Sequence, residues 1–247
     1  MRSFSRAAMA ALGACGVVSG LAPAAGADPL PECSTVAKGL QPDWGWNCQT
    51  KGASGLVFEG RRSAIKRYVD GFVRSYRDEV RVSGPVSQVI DEDVGVGDGL
   101  PFALEDLDGD GRDELLIPLG PQRGMDVAEP ANYEWAVWRA GASGKFERVW
   151  QVRAASFRRT QDGYLVALER GVGAEGEVRF YAFGPDHAYP PKLVAGADAH
   201  SSVFNGPFSP SDCELVDQDT DLAALGLDHD AAQQRFCADP WVAKLYQ

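Results

Sequence analysis

Pro101-Phe102-Ala103-Leu104-Glu105-Asp106-Leu107-Asp108-Gly109-Asp110-Gly111-Arg112-Asp113-Glu114-Leu115-Leu116-Ile117-Pro118-Leu119 is the stretch on which the fold turns. Its ends, Pro101–Glu105 and Glu114–Leu119, are short and apolar, as strands are. The polar middle carries the glycines that a tight reversal needs. Moving outward, the same texture continues. Tyr133–Arg139, Phe146–Val152, Ala155–Arg159, Tyr164–Glu169 and Glu177–Phe183 are dense in aromatic and branched residues. Ala140-Gly141-Ala142-Ser143-Gly144 and Gln161-Asp162-Gly163 separate pairs of them as hairpin turns do. Short connections exclude parallel pairing, which needs long crossovers, so the reading is a mainly β fold with a few helices, built as an antiparallel meander.

The regions before and after this meander read differently. Residues 28–60 are rich in proline, glycine and polar residues, and predict an irregular lead-in. In residues 61–80, Ile65, Tyr68, Val69, Phe72, Val73 and Tyr76 recur at three-and-four spacing. Arg62, Lys66, Asp70 and Arg74 mark another face, which predicts one amphipathic helix preceding the β region. Residues 83–99, with Asp91, Glu92, Asp93 and Asp98, predict an acidic loop holding at most one short strand. The organisation expected is therefore a lead-in over 28–60, helix and acidic loop over 61–99, and a β domain over 100–197. A C-terminal segment follows over 198–247, with a short helix from Asp228 to Cys237.

The loop between the first two strands carries the most specific chemistry. Asp106, Asp108 and Asp110 occupy its first, third and fifth positions, so their carboxylates can converge on one point. Gly111, at the sixth, permits a sharp turn, after which the Arg112 carbonyl points inward. Glu114, at the ninth, closes the shell directly or through water. Five acids in nine residues are offset within the loop by Arg112 alone. Two carboxylates about 5 Å apart repel by roughly 3 kcal/mol at an effective dielectric of 20, so a converged loop calls for a cation. Oxygen donors of this kind select a hard ion, Ca2+. An EF-hand would place a bidentate Glu at the twelfth position, where this chain has Ile117, and would need helices on both sides.

The run from Asp106 to Ile117 resembles the calcium loop of FG-GAP or VCBS-type repeats, modules that build β-propeller blades. The resemblance implies that Asp106, Asp108, Asp110 and Glu114 are side-chain ligands and that Arg112 gives its carbonyl. It covers about residues 97–150, with Tyr133–Arg139 and Phe146–Val152 similar to later strands of a blade. This chain has one such loop, with Glu at the ninth position where Asp is commoner in the family, and no FG-GAP tripeptide before it. The expectation is a sheet resembling one or two blades, with no closed seven-bladed ring. In such modules the ion is mainly structural.

The first 27 residues resemble a secretory signal. Arg2 and Arg6 precede an uncharged small-residue stretch, Ala7 to Leu21, and Ala25-Gly26-Ala27 forms a cleavage site before Asp28. Leu12-Gly13-Ala14-Cys15 equally fits a lipoprotein box that would lipidate Cys15. Either route exports the chain, giving a secreted, periplasmic or lipid-anchored protein. Beyond residue 27 there are 22 basic and 35 acidic residues, a net charge of −13, which disfavours nucleic acid and anionic membrane surfaces as partners. No further run is long enough for a transmembrane helix. Cys33, Cys48, Cys213 and Cys237 form an even set, as disulfides require in an exported chain. Of three connectivities, Cys33–Cys48 and Cys213–Cys237 close the shortest loops.

Other features carry less. Asp217, Asp219 and Asp221 alternate without a following glycine and read as a solvated acidic loop. Trp135, Trp138 and Trp150 fall on predicted strands and read as packing, whereas Trp44 and Trp46, beside Cys48, are candidates for a contact surface. His187, His200 and His229 lie in no metal-ligand pair, and no G-x-S-x-G elbow presents a serine. The expectation is thus an exported, calcium-stabilised binding module, not an enzyme, with a protein or glycan partner and no catalytic residues. The alternative is an exported inhibitor or immunity protein directed at a cell-wall hydrolase.

Overall fold

A computed structural model describes residues 30–37, 45–67, 73–94, 101–121, 132–170, 175–200, 212–240 and 242. The signal segment, Cys15 and Trp44 lie outside the described residues. Among the described residues, thirteen strands form three antiparallel sheets. The first sheet is β1 (Asn47–Lys51), β2 (Val57–Arg67), β3 (Val73–Ser83) and β4 (Gln88–Val94), in that order. The second is β5 (Ala103–Glu105), β6 (Glu114–Pro121), β7 (Tyr133–Ala140) and β8 (Phe146–Ala154). The third contains β9 (Ser156–Arg159), β10 (Leu165–Arg170), β11 (Glu175–Ala182), β12 (Lys192–His200) and β13 (Cys213–Leu215). Each sheet is a meander in which sequence neighbours pair. The seven strands expected between residues 101 and 183 are all present.

The middle sheet is buried on both faces. Leu115 and Ile117 of β6, Ala136 of β7 and Phe146 of β8 pack with Phe58, Val80, Val82 and Ile90 of the first sheet. Leu116 of β6, with Trp135, Val137 and Val152, packs with Phe157, Leu165, Ala167 and Tyr181 of the third. Because side chains alternate faces along a strand, two cores demand an unbroken apolar run, and Leu115-Leu116-Ile117 supplies it. Each such side chain fully buried stabilises the fold by about 1.5–3 kcal/mol.

Residues 68–72 lie outside the described residues, and residues 61–67 and 73–80 are strand, not helix. They contribute most of β2 and β3, paired in register from Val57↔Ser83 through Arg62↔Asp78 to Arg67↔Val73. The inward positions are Phe58, Gly60 and Arg62 on β2 and Tyr76, Asp78, Val80 and Val82 on β3. The period of two was obscured because two inward residues are charged. Arg62 donates from Nε and Nη2 to the two Asp78 oxygens at 2.6 and 2.7 Å, so each charge satisfies the other inside the sheet. The Arg62 guanidinium also lies over the rings of Trp46 and Tyr76, 5.5 and 5.7 Å from their centroids. Two further expectations change with this sheet. Asp91, Glu92 and Asp93 belong to strand β4 and not to a loop, and Trp46 is buried instead of forming a contact surface.

Residues 28–60 are also more regular than expected, holding α1 (Cys33–Ala37), β1 and the start of β2. The Cys33–Cys48 disulfide ties α1 to β1. At the other end, after the short helix α2 (Leu222–Leu225), Cys213–Cys237 joins β13 to α3 (His229–Cys237), which Asp228 caps by accepting from the Ala231 amide at 2.8 Å. Phe236 of α3 stacks at 4.7 Å on Phe180 of β11, so the C-terminal helix closes the outer face of the third sheet. Among the described residues, no helix is long and apolar enough to cross a membrane.

Candidate metal centre

The acidic loop joins β5 to β6 and sits where all three sheets meet. Gly109 and Gly111 hold φ values of 77° and 83°, the left-handed region that glycine enters without steric cost. These turns aim the loop amides at its carboxylates. Asp106 accepts from the Gly109 and Gly111 amides at 2.7 and 3.1 Å, and Asp108 accepts from the Asp110 amide at 3.0 Å. Leu107 points into the core between the second and third sheets, and its amide donates to Glu114 Oε2 at 2.9 Å.

Contacts from both neighbouring sheets fix the loop in place. From the first, the Ala53 amide donates to Asp113 Oδ2 at 2.5 Å. From the third, Arg159 Nη1 donates to the Leu107 carbonyl at 2.9 Å, and the His187 Nδ1 lies 3.0 Å from the Asp108 carbonyl oxygen. A Cβ on Gly109 would stand 2.7 Å from Arg159 Cζ. A Cβ at position 109 would therefore have to push the Arg159 guanidinium aside, in addition to its backbone cost.

Three of the five expected ligands come together. Asp106, Asp108 and Glu114 each offer an oxygen, and these oxygens lie within 4.8 Å of one another. The Asp108 and Glu114 side chains are fully buried. Asp108 Oδ2 and Glu114 Oε1 have no well-formed hydrogen bond there, although Arg139 lies 2.9 Å from the first and 3.7 Å from the second as an ion-pair partner. Buried carboxylate oxygens are ordinarily satisfied, so two such atoms facing a third acid fit a cation. Asp110 stands outside this group. Its carboxylate accepts from Arg112 Nε and Nη2 at 2.9 and 2.6 Å and from Arg139 Nη2 at 2.8 Å. The Arg112 amide donates to Asp110 Oδ1 at 2.8 Å.

The charge states follow from these surroundings. Burial, followed by the neighbouring charge of Asp108, pushes the Glu114 carboxyl up to about 7. Burial also raises Asp108, against the pull of the Asp110 amide and Arg139. For Asp110 burial acts upward too, but the Arg112 and Arg139 guanidiniums prevail and hold it at about 2. Tyr189 is raised by burial and then by the charges of Glu114 and Asp108, close to which its hydroxyl lies.

Arg139, His187 and Tyr189 were not expected at this site. They come from the end of β7 and from the β11–β12 connection, 25 or more positions beyond the loop. Nothing local in the sequence signals them. Family models, curated proteins and solved structures were all compared with this chain, and none matches.

Proposed function

We propose that this chain is an exported binding module whose acidic loop takes up one calcium ion, and that the ion fastens its three sheets together. The observation that carries the reading is the convergence of Asp106, Asp108 and Glu114, with two buried carboxylate oxygens lacking a hydrogen bond. Calcium favours such carboxylate donors over nitrogen or sulfur. Asp106, Asp108 and Glu114 would hold the ion; when bound it would supply two positive charges to carboxylates that otherwise face the single charge of Arg139.

The loop's position makes that charge count for the whole fold. Asp113 holds the β1–β2 turn, while Leu107 and Asp108 meet Arg159 and His187 of the third sheet. A loop drawn tight around an ion therefore keeps three separately meandering sheets in register. Calcium at about 100 times its dissociation constant would stabilise the folded state by about 2.7 kcal/mol. Millimolar extracellular calcium meets that condition for a site of roughly ten micromolar affinity. Export rests on the first 27 residues and on the two disulfides, which persist in oxidising compartments. Calorimetric titration of chelator-stripped protein with calcium chloride tests the reading. One saturating heat is expected, and its absence up to millimolar metal overturns the assignment.

A further inference from the structure

We propose that Arg139 is a tethered cation that occupies the acidic cluster in the metal-free protein, and that calcium binding displaces it and releases the β11–β12 connection. The proposal rests on the calcium reading above. Arg139 Nη2 lies 2.9 Å from Asp108 Oδ2 and 2.8 Å from Asp110 Oδ2, and its Nε lies 3.7 Å from Glu114 Oε1. Two of these three carboxylates are the buried members of the convergent group. The fit is electrostatic but poorly directed, since Arg139 Nε, Asp108 Oδ2 and Glu114 Oε1 are all buried without a hydrogen bond. A guanidinium carries a single charge in a planar fork and cannot answer carboxylates arriving from several directions. A divalent ion can, and it competes with the guanidinium for the same oxygens.

The same guanidinium holds a neighbouring segment. Its Nη1 donates to the His187 carbonyl at 2.8 Å, and its Cζ lies 5.4 Å from the centre of the Tyr189 ring. Asp186 and His187 both have left-handed backbones, at φ 59° and 55°, a region uncommon for residues with a Cβ although Asp and His enter it more readily than most. Two contacts hold this turn to the loop, Arg139 on the His187 carbonyl and His187 on the Asp108 carbonyl. Displacing Arg139 removes the first of them.

A displaced Arg139 has somewhere to go. Glu147 faces it directly across the β7–β8 pairing. Glu147 and Asp186 also line, with Arg139 and Tyr189, an open depression of about 430 Å3 beside the loop. The side chain thus has two acidic addresses, the loop and Glu147, and the ion selects between them. By linkage, whatever affinity Arg139 takes from calcium, calcium takes from the Arg139–His187 contact.

The test combines calcium calorimetry on the chelator-stripped full chain, Arg139→Gln and Arg139→Lys with amide hydrogen exchange over residues 184–191. Arg139→Gln should bind calcium about tenfold or more tightly than the unaltered chain, and Arg139→Lys should fall between them. Calcium should speed exchange at Asp186 to Tyr189 severalfold in the unaltered chain, while Arg139→Gln should exchange fast with or without it. Calcium binding by Arg139→Gln alone would also support displacement. Equal affinities in the unaltered chain and Arg139→Gln, or calcium-slowed exchange, overturn displacement while leaving the metal site standing. Absence of binding in both removes the metal site and the displacement together. Should Arg139→Gln fail to fold, the exchange response of the unaltered chain decides alone.

Discussion

Arg62 and Asp78 face each other across β2 and β3, joined by two hydrogen bonds, with side chains only 3% and 0% exposed. An ion pair removed from water this completely has little net worth, but breaking it is costly, because one charge remains buried alone. Arg62→Met should therefore destabilise the protein by about 3–5 kcal/mol in urea unfolding at neutral pH. Burial raises the Asp78 carboxyl and Arg62 lowers it, so the variant keeps only the upward push. A carboxyl raised on folding favours the protonated protein. The gap between variant and wild type should then be widest above the folded pKa of Asp78 and narrow as pH falls toward about 4. A gap of constant size from pH 7.5 to pH 4 would mean that Asp78 is not the charge left stranded.

This pair also marks where the sequence misled. Alternation is the signature of a strand, and β3 has it at Tyr76, Asp78, Val80 and Val82, all buried. With Asp78 inward, and Arg62 inward on β2, the alternation seemed to mix core and surface, and the apolar residues left over happened to fall at helical spacing. The middle sheet gave no such difficulty. Leu115-Leu116-Ile117 and the aromatics of β7 and β8 are apolar on both faces because both faces are covered. The convergence of acids in the loop was legible for a different reason. Its carboxylates and glycines are contiguous, so their spacing alone encodes geometry. Arg139 and His187 reach it only through the packing of β7 and the third sheet, which no spacing records.

Under the calcium proposal, mutation can test which acids serve as ligands. Asp108 and Glu114 are buried in the convergent group, while Asp110 is engaged by Arg112 and Arg139. Asp108→Asn and Glu114→Gln should each abolish the calcium-dependent rise in melting temperature. Asp110→Asn should retain most of it. Removing calcium from the unaltered chain should cost about 2–3 kcal/mol, several degrees for a protein of this size. Loss of the calcium response in Asp110→Asn with retention in Asp108→Asn would reverse the assignment.

The two loop glycines make a controlled comparison. Both have left-handed backbones, so alanine at either carries a conformational cost of about 1–2 kcal/mol. At Gly111 nothing lies within 4 Å of the added methyl, and that cost should be the whole effect. At Gly109 the methyl would strike the Arg159 guanidinium, which holds the Leu107 and Gly163 carbonyls at 2.9 and 3.1 Å. Gly109→Ala should accordingly unfold at clearly lower denaturant than Gly111→Ala. Equal midpoints would show that Arg159 can swing aside without loss.

The C-terminal disulfide should matter because it fastens a helix over a core that strands alone leave open. Phe236 and Cys237 of α3 complete the cluster containing Val166, Val178, Phe180 and Ala197. In the unfolded chain, the Cys213–Cys237 bridge closes a loop of sequence separation 24, worth about 3 kcal/mol in chain entropy. A Cys213→Ser, Cys237→Ser double variant should lose about that much, and calcium should restore little of it. The acidic loop lies at the inner edge of the third sheet, whereas α3 covers its outer face, so the two staples act on different surfaces. Their effects on unfolding free energy should add within about 0.5 kcal/mol, as independent sites do. A strong departure from additivity in calcium titrations of the disulfide-free variant would show that the outer face of the third sheet communicates with the metal loop.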